Sequence, residues 1–297
     1  MKPYVTVAIP FYNAEKYLAD AIRSIMVQSY KNWELILIDD GSSDGSLDIA
    51  TSIVDSRIRV VSDGKNKKLA ARLNEVARLA KYDYLVRMDA DDLIAIDRIE
   101  RQMDILLSDA SLDLVTTGVV SVADDLEYIG HRGQNAVCPT LHQLITKEVG
   151  VTHAALVGKK SWFLRNPYDE SLKVAQDFSL WISAAAKDDF KIKIIEDPLY
   201  YYREEGNVSA KKMLQAYKYE RKLILKYTDG IEKRKLWLKA KLKSVVVSVL
   251  STFGLMHLLF QKRAKVKIDK DVINRLNADV LTIRRVRLNR TIQQEVL

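Results

Sequence analysis

The first part of the chain alternates between short apolar segments and amphipathic segments, and this alternation constrains the fold more than any other feature of the sequence. Four segments have the length and the β-branched content of buried strands, namely residues 4–10, 33–38, 58–62 and 82–87. Between them, residues 14–28 and 69–80 carry apolar side chains at helical spacing, which predicts helices with one buried face. This arrangement is typical of a mostly parallel sheet with helices on both faces, so we predict an α/β fold.

Length and composition are those of a globular protein. The chain has 297 residues, of which 48% are hydrophobic, enough to bury a sizeable core. Its single cysteine, Cys138, cannot form a disulfide within the chain. No charged segment followed by an apolar stretch comes after Met1, so we expect no secretory signal and a cytoplasmic enzyme.

Charge divides the chain into two parts. Residues 211–297 contain 22 Lys and Arg against 7 Asp and Glu, a net charge of +15, so the overall +8 leaves −7 for residues 1–210. We therefore predict a catalytic domain over residues 1–210 and a basic helical extension over 211–297 that meets an anionic surface. The alternative is that the extension is a lysine-rich set of solvated helices.

The loops that follow the predicted strands carry the candidate binding residues. In open parallel sheets, ligands bind beyond the carboxyl ends of the strands. Tyr12 follows the first strand and offers a ring for stacking, and Asp40 follows the second and can accept hydrogen bonds from a nucleobase. The alternatives are that Tyr12 covers the core and that Asp40 serves the turn before the next helix.

The string RMDADDL at residues 87–93 places three carboxylates within four positions after the fourth strand. Asp89 and Asp91 are two apart, so on an extended chain they point the same way. Oxygen ligands of this kind suit Mg²⁺ or Mn²⁺ that also bridges a phosphate. The alternative is a solvated acidic turn in which Asp92 caps a helix that begins near Leu93.

The segments PFYNAEKYLADAIRSIMVQSYKNWELILIDDGSSDGS and YLVRMDADD resemble the inverting glycosyltransferases of family 2, which have the Rossmann-like GT-A fold of nucleotide-diphosphosugar transferases. The resemblance continues through residues 69–81, 168–181 and 198–210, in the order of the family's motifs, and it leaves residues 211–297 uncovered. It implies a mixed, mostly parallel sheet. No GxGxxG or Walker-type glycine loop is present, which disfavours dinucleotide dehydrogenases and P-loop enzymes.

The resemblance also implies roles for particular residues. Pro10, Tyr12 and Asp40 stand where the family holds the nucleotide base, usually uracil, and Arg72 stands where a basic contact to the nucleotide is common. These residues imply a nucleotide-sugar donor, most simply a UDP-sugar.

Asp89 and Asp91 match the family's DxD motif. The resemblance implies that Asp91 binds Mn²⁺ or Mg²⁺ and that Asp89 faces the ribose or shares the metal. Arg203 would assist at the pyrophosphate, and Asp92 would support the turn without being a third ligand.

Asp177 matches the carboxylate that serves the family as catalytic base. Partial burial would help such a base by raising its pKa. The alternative is that Asp177 caps the helix that contains Trp181. Gln176 replaces the glutamate that usually precedes this base, and His153 falls on the expected acceptor side, where a structural role is slightly favoured.

Two other positions depart from the family pattern. Lys67 and Lys68 occupy a segment where glycine is common, and Glu204 and Glu205 stand where a histidine often follows the Tyr-Arg pair. The second departure puts an additional phosphate contact in doubt. Neither departure removes the proposed metal site or the base.

The extension suggests where the acceptor lies. Residues 211–243 predict one long basic amphipathic helix, and the apolar residues 244–260 would form a helix of about 25 Å, short of the roughly 30 Å hydrocarbon core. We expect residues 244–260 to lie in the membrane interface or to pack on the catalytic domain, with flanking lysines near anionic headgroups. The alternative is a core helix of a small helical subdomain. No nucleic-acid module accompanies the arginines of the tail, so we expect no nucleic-acid partner.

Together these features predict a hexosyltransferase at the cytoplasmic face of the inner membrane. Its acceptor would be a growing O-antigen, capsule or lipooligosaccharide, carried on a lipid carrier or a lipid A core. Two other functions stay open at this point. A phosphohydrolase of the DxD type also needs paired aspartates after a strand, and a non-catalytic nucleotide-sugar or glycan-binding module would use Tyr12 and Asp40 without Asp177.

Overall fold

The structure is a computed structural model that describes residues 2–204, 209–255 and 269–288. The strands are β1 (Val5–Phe11), β2 (Trp33–Asp39), β3 (Ile58–Val61), β4 (Tyr84–Arg87), β5 (Leu93–Ile94), β6 (Leu114–Val122), β7 (Tyr128–Arg132), β8 (Ala136–Val137), β9 (Val157–Lys159) and β10 (Ile192–Arg203). The helices are α1 (Leu18–Met26), α2 (Ser46–Thr51), α3 (Lys68–Leu79), α4 (Arg98–Ser108), α5 (Leu141–Thr146), α6 (Lys160–Arg165), α7 (Gln176–Ala185), α8 (Ala210–Tyr227), α9 (Gly230–Thr252) and α10 (Lys270–Arg285). A 3₁₀ turn covers His153–Ala155.

All ten strands of the described residues belong to one sheet. The main order is β3-β2-β1-β4-β9-β6-β10-β5, with β7 beside β6 and β8 beside β10. The longest pairings, β1 with β2 and β6 with β10, are parallel, whereas β9 runs antiparallel between β4 and β6. The predicted fold class, a mixed and mostly parallel sheet flanked by helices with a helical extension, is therefore confirmed.

The first four strands and the helices between them form where the sequence predicts them. Every residue of β1 is buried, because helices cover both faces of the sheet at this strand. On α1 the buried side chains are those at helical spacing, including Leu18, Ile22 and Ile25. The helix begins at Leu18 and not at residue 14, since the amide of Ala14 donates to the Ser46 hydroxyl at 2.7 Å and a turn precedes the helix.

The predicted helix after the acidic cluster is wrong at its start. Leu93 and Ile94 form the short strand β5, which pairs antiparallel with Tyr201 and Tyr200 of β10, and α4 begins only at Arg98. Both residues of β5 are fully buried. A partner strand far along the chain therefore decides the conformation of this apolar dipeptide, and local sequence does not reveal that partner.

The predicted single helix over residues 211–243 is also wrong. The chain turns at Thr228 and Asp229, so that α8 and α9 form an antiparallel pair in which Arg221 donates to the Ser244 hydroxyl at 2.6 Å. Among the described residues, no helix is long and apolar enough to cross a membrane. Residues 256–260 of the predicted 244–260 segment lie outside the described part of the chain.

The extension shares the core of the preceding part. Ile224 of α8 and Ala240 of α9 join the buried cluster that contains Trp162 and Trp181. Leu276 and Ile283 of α10 join a second cluster with residues of β5, β6 and β10. The boundary at residue 210 stays a prediction, and both sides of it contribute to the same hydrophobic clusters.

Candidate active site

The sheet brings the predicted binding loops to one edge. β1 lies between β2 and β4, with Phe11 opposite Asp39 and Ala8 opposite Arg87. The amide of Asp40 donates to the Phe11 carbonyl at 2.8 Å, so the loops that follow Pro10 and Asp39 stay in contact beyond the strands. The carboxyl ends of three parallel strands therefore meet where the sequence predicts a ligand.

Tyr12 presents its ring at this edge. Its side chain is 51% exposed, so the alternative in which it covers the core is wrong. The loop around it is held by Asn13, whose side-chain oxygen accepts from the amide of Ser43 at 2.8 Å. The ammonium of Lys68 lies 6.0 Å from the centre of the Tyr12 ring. An exposed ring on a fixed loop is available for stacking on a flat ligand.

Asp40 is buried and caps α3. Its carboxylate accepts from the amides of Lys67 at 2.7 Å and Lys68 at 3.1 Å, and from Nε of Arg72 at 3.0 Å. The alternative in which Asp40 serves the turn before α2 is therefore wrong. Lys68 has a φ of 74°, in the left-handed region that favours glycine, which gives a physical reason for the family's glycines in this segment.

Arg72 lies beneath Asp40 with no exposed surface. Its guanidinium donates to Asp63 at 2.6 Å and to Glu75 at 2.8 Å, in addition to Asp40. These charge-assisted bonds explain how the cation is tolerated inside the protein. In this arrangement Arg72 supports Asp40, and its predicted contact with a nucleotide stays a prediction.

Asp89 forms an ion pair with Arg87, a residue for which the sequence patterns predict no role. The guanidinium of Arg87 is buried and donates to Asp89 at 2.8 Å. Burial is the largest single effect and lowers the pKa of Arg87, but Asp89 together with Tyr168 and Tyr200 outweighs it, so the pKa of Arg87 is raised. The first aspartate of the predicted DxD pair is therefore held by a permanent positive charge.

Asp92 points inward and anchors the acidic loop to β10. Its carboxylate accepts from the Tyr200 hydroxyl and from the amide of Arg203, both at 2.8 Å. The same Tyr200 hydroxyl accepts from the amide of Asp89 at 3.0 Å. Burial, and then the charges of Asp91 and Asp89, raise the pKa of Asp92 well above its usual range. The inward position agrees with a supporting role and leaves Asp89 and Asp91 as the candidate ligands.

Arg203 lies behind the same loop. Its guanidinium donates to the backbone carbonyls of Asp91 and Asp124, and it sits 4.7 Å from the centre of the Tyr17 ring. The side chain is almost completely buried. These contacts fix the backbone that carries Asp91, whereas the predicted contact of Arg203 with a pyrophosphate stays a prediction.

Asp177 lies in the first turn of α7. The residue that caps this helix is Ala175, and no side-chain capping bond is present, so the alternative in which Asp177 caps the helix is wrong. Within the described ranges, its carboxylate accepts no hydrogen bond. A carboxylate without such a partner is free to accept a proton from a bound molecule.

One pocket joins Asp177 to Asp89. It has a volume of about 580 Å³, and Arg87 and His153 also line it. Its other walls come from β6, from the end of β7 and the loop after it, from the segment before the 3₁₀ turn, and from Tyr202 of β10. The volume is in the range of small-molecule binding sites. The candidate base and the first DxD carboxylate therefore face the same cavity.

His153 lies in the wall of this pocket in its neutral form. Its Nε2 is 2.7 Å from the Tyr168 hydroxyl, and its ring meets the edge of Trp181 at 5.6 Å between centres. Burial, together with the positive charge of Arg87, lowers the pKa of His153 well below its usual range. Its tertiary contacts, and not a local motif, place it beside Asp177's pocket.

The acidic loop has the chemistry of a divalent-cation site. Within the described ranges, no three His, Cys, Asp or Glu side chains are grouped to hold a metal by themselves. Mg²⁺ in nucleotide sites takes one or two carboxylates, and phosphates and water complete its coordination. Asp89 and Asp91 supply oxygen atoms only, and both lie close enough to raise the pKa of Asp92. The two residues therefore fit a cation that is shared with a diphosphate.

Comparison with known proteins gives concordant results. Residues 6–172 match the model of Glycosyl transferase family 2. The putative glycosyltransferase EpsE of Bacillus subtilis (strain 168) is 33% identical over 213 residues, 69% of this chain and 74% of EpsE. The putative teichuronic acid biosynthesis glycosyltransferase TuaG of the same strain is 35% identical over 42% of this chain and 50% of TuaG. A chondroitin synthase of Escherichia coli is 28% identical over 64% of this chain and 27% of its own length.

Solved structures share the fold. Staphylococcus aureus TarS 1-349, in complex with UDP-GlcNAc, aligns with a TM-score of 0.60 at 17% identity, over 94% of this chain and 81% of TarS 1-349. The mannosyltransferase PcManGT from Pyrobaculum calidifontis, in complex with GDP-Man and Mn²⁺, aligns with a TM-score of 0.57 at 17% identity, over 96% of this chain and 86% of PcManGT. At this identity the likeness concerns the fold.

Proposed function

The chain belongs to Glycosyl transferase family 2 and is a glycosyltransferase of the GT-A fold, and from this premise we propose that it moves a hexose from a nucleotide-diphosphate donor to a hydroxyl group with inversion at the anomeric carbon. One observation carries the proposal. Asp89, from the predicted donor site, and Asp177, the candidate base, line the same pocket although 88 positions separate them. A direct displacement needs a leaving-group site and a base on either side of one sugar.

The proposed donor site occupies the edge beyond β1, β2 and β4. The exposed ring of Tyr12 stacks on the base, Pro10 shapes the loop, and Asp40 accepts a base N–H. Oδ2 of Asp40 accepts one backbone hydrogen bond, at 3.1 Å, which leaves it a lone pair for such a contact. The fold neighbours hold UDP-GlcNAc and GDP-Man, which supports a nucleotide sugar as donor, and we propose UDP as the nucleotide.

Asp177 acts as the base in this proposal. Its carboxylate takes the proton of the acceptor hydroxyl as the oxygen attacks the anomeric carbon from the side opposite to the diphosphate. The bond from that carbon to the phosphate oxygen breaks, and the nucleoside diphosphate leaves with the electron pair. Because the new bond forms on the opposite face, configuration inverts. Gln176, which stands where the family usually has glutamate, adds no charge beside the base.

Asp91 and Asp89 would hold Mn²⁺ or Mg²⁺ at the diphosphate. When bound, the cation stabilises the negative charge that develops on the departing diphosphate. The chain's own contribution is to fix the two carboxylates. Arg87 holds Asp89 through an ion pair at 2.8 Å, and Arg203 holds the backbone of Asp91. Rigid placement of ligands before substrate arrives lowers the reorganisation that the reaction requires.

The proposed acceptor is a growing cell-surface glycan of the O-antigen, capsule or lipooligosaccharide type. The relatives named for teichuronic acid biosynthesis and chondroitin synthesis support a polysaccharide acceptor. We place the enzyme at the cytoplasmic face of the membrane, where a lipid carrier or a lipid A core would present the glycan. Arg72 and Arg203, both buried, would act from behind the donor site.

The alternative functions have less support. A DxD phosphohydrolase carries its aspartates after the first strand, whereas Asp89 and Asp91 follow β4. A non-catalytic binding module has no use for a carboxylate such as Asp177, which faces the pocket without a hydrogen-bond partner among the described residues. Family membership argues against both.

A donor panel tests the proposed reaction. The full chain is incubated with UDP- and GDP-sugars and with Mn²⁺ or Mg²⁺, and mass spectrometry follows both donor hydrolysis and transfer to lipid extracts. We expect turnover with at least one UDP-sugar and its loss in EDTA. The proposal is wrong if no donor is hydrolysed or transferred and if the chain shows no metal-dependent binding of UDP.

Asp177→Asn separates base catalysis from binding. We expect the variant to bind the donor with unchanged affinity in calorimetry and to lose transfer by about 10²- to 10⁴-fold, the usual contribution of a general base. Asp188→Asn is the matched control, because Asp188 is an exposed aspartate just past the end of α7 whose ion-pair partner among the described residues is Lys191. Full transfer by Asp177→Asn would remove the assignment of the base.

A further inference from the structure

Helix α9 carries apolar side chains on its outer face as well as on its inner face. Six of the outward residues are between 49% and 72% exposed: Ile231, Leu238, Leu242, Val245, Val249 and Phe253. At about 100° per residue they fall within an arc roughly 80° wide, so they form one continuous stripe along the helix. We call these six residues the outer stripe. It begins at Ile231, within residues 211–243, whose sequence predicts a basic amphipathic helix.

The opposite face of α9 is already occupied. Ala240 and Val247 are almost completely buried, and Ala240 belongs to the cluster that contains Trp162 and Trp181. The Ser244 hydroxyl bonds to Arg221 of α8. The outer stripe is therefore not needed to attach the helix to the protein. Exposed apolar surface of this extent commonly marks a binding face.

Basic side chains border the outer stripe. By helical position, Arg234 and Lys241 flank it on one side and Lys235 and Lys239 on the other. None of these four residues pairs with an acidic group within the described ranges. Over residues 209–255 the chain contains 12 Lys and Arg against 3 Asp and Glu, a net charge of +9. The surface thus combines apolar and cationic groups, as interfacial membrane helices do.

A small cavity adjoins the outer stripe on its basic side. It has a volume of about 420 Å³ and is lined by Arg221 and Lys241, by the hydroxyl-bearing Ser244 and Ser248, and by Trp237. Val245 and Val249 of the stripe form its edge. The Ser244 hydroxyl already donates to the Ala240 carbonyl at 3.0 Å. The two cations and the Ser248 hydroxyl, beside an apolar surface, provide donors for a phosphate at the depth where lipid headgroups lie.

We propose that the outer stripe docks on an anionic phospholipid bilayer, with α9 parallel to the membrane and a headgroup phosphate in the cavity at Arg221 and Lys241. Charge selects this occupant over a second copy of the chain, because pairing two such faces would bring two regions of net charge +9 together. The stripe enters the acyl boundary while the flanking lysines and arginines meet headgroups. Such docking deepens the membrane location proposed above, and it does not depend on the chemistry of the transfer reaction.

Vesicle sedimentation tests the proposal with the full chain. Vesicles of phosphatidylcholine are compared with vesicles that contain about one-third phosphatidylglycerol, at low and high salt. We expect a partition coefficient at least tenfold higher for the anionic vesicles and a decrease with salt. Equal partition into both kinds of vesicle, or no partition into either, would overturn the proposal.

Two sets of variants address the two parts of the surface. Leu238→Gln, Leu242→Gln and Val249→Gln together remove apolar contact, and their matched control combines Val54→Gln, Leu107→Gln and Leu164→Gln, which are exposed elsewhere. Arg234→Gln, Lys239→Gln and Lys241→Gln together remove charge, with Lys65→Gln, Lys173→Gln and Lys187→Gln as control. Each stripe or charge triple is expected to lower partition into anionic vesicles at least tenfold, and each control less than twofold.

Self-association is a distinct outcome. Sedimentation velocity could show a dimer that dissociates when the three outer-stripe residues are changed to Gln. In that case the stripe is a contact between copies of the chain, and the membrane proposal is wrong. Donor hydrolysis in detergent-free solution should be unchanged by either triple. This readout separates failure of membrane docking from failure of the proposed transfer reaction.

Discussion

At the scale of single residues, Tyr200 ties the acidic loop to the centre of the sheet. Its hydroxyl accepts from the backbone amide of Asp89 and donates to the Asp92 carboxylate, so one atom contacts the acidic loop on both sides of Asp91. Tyr200 is completely buried, and water cannot replace either bond. The residue touches no proposed ligand. Its role is to position the groups that do.

Tyr200→Phe should weaken the use of the divalent cation as well as the stability of the fold. Losing one buried hydroxyl leaves the Asp89 amide and the Asp92 carboxylate short of a partner, at a cost of about 1–3 kcal/mol. We expect the apparent KM for Mn²⁺ to rise about tenfold in donor-hydrolysis assays, with a smaller change in kcat. Tyr84→Phe is the control, since the Tyr84 hydroxyl makes no hydrogen bond in the described part of the chain. If Tyr200→Phe and Tyr84→Phe have the same apparent KM for Mn²⁺, Tyr200 does not position the acidic loop.

His153 should make stability depend on pH in a defined direction. Burial keeps its folded-state pKa well below the 6.5 of the unfolded chain, so below about pH 6.5 the unfolded state binds the extra proton. The free energy of unfolding should therefore fall as pH drops from 7 to 5. Urea titrations of the wild type and of His153→Gln measure this slope. We expect a shallower slope in the variant, and identical slopes would show that His153 does not contribute.

At the scale of secondary-structure elements, long-range partners override local signals. β5 has only two residues and forms a strand because β10 supplies its hydrogen bonds. Helix α10 is held in a similar way by Asp279, which accepts from the Tyr201 hydroxyl at 2.5 Å and from the amide of Ile96 at 3.3 Å. These bonds attach α10 to the strand that also carries Tyr200. The extension thus contacts the element that supports the acidic loop.

Asp279→Ala should loosen this attachment. Removing the carboxylate leaves the Tyr201 hydroxyl and the Ile96 amide without their acceptor, so we expect a loss of about 2–4 kcal/mol in urea unfolding. Asp279→Asn retains an acceptor oxygen and should cost less. Asn274→Ala, an exposed change on the same helix, serves as control. If Asp279→Ala lowers the free energy of unfolding no more than Asn274→Ala does, the stability of α10 does not depend on these bonds.

At the scale of the whole molecule, the extension completes the hydrophobic core. Ile224 and Ala240 contact one buried cluster, and Leu276 and Ile283 contact another. An independently folded appendage would leave the core of residues 1–210 intact when removed. The shared clusters indicate instead that residues 1–210 need the extension for their stability.

Truncation tests this dependence. We compare the full chain with fragments that end at residue 255, without α10, and at residue 210, without the whole extension. Each cut exposes apolar surface, which costs about 25 cal/mol of stability per Å². The Tm should therefore fall in two steps. The shortest fragment should also bind a dye that reports exposed apolar surface. A 1–210 fragment with the Tm of the full chain would establish residues 1–210 as a separate domain.

Local patterns determined the first half of the fold and the choice of several candidate site residues. Strands β1 to β4 and helices α1 and α3 follow from apolar runs and apolar periodicity, because β1, β2 and β4 are mostly buried, β3 is half-buried, and each helix buries one face. Tyr12, Asp40, Asp89 and Asp91 follow from their positions after strands, since parallel strands end at the same edge. These inferences need only neighbours in the chain.

The tertiary structure alone decided which of these residues share a pocket and which support others. Asp177 faces Asp89, and Tyr200 holds Asp92, through contacts across 88 and 108 positions of the chain. Likewise, burial and the positive charge of Arg87 keep His153 neutral. Tertiary contacts also place Arg72 beneath Asp40. Burial and charge around a side chain come from segments that are remote in sequence, so the sequence suggests the chemical groups and only the folded chain determines how they work together.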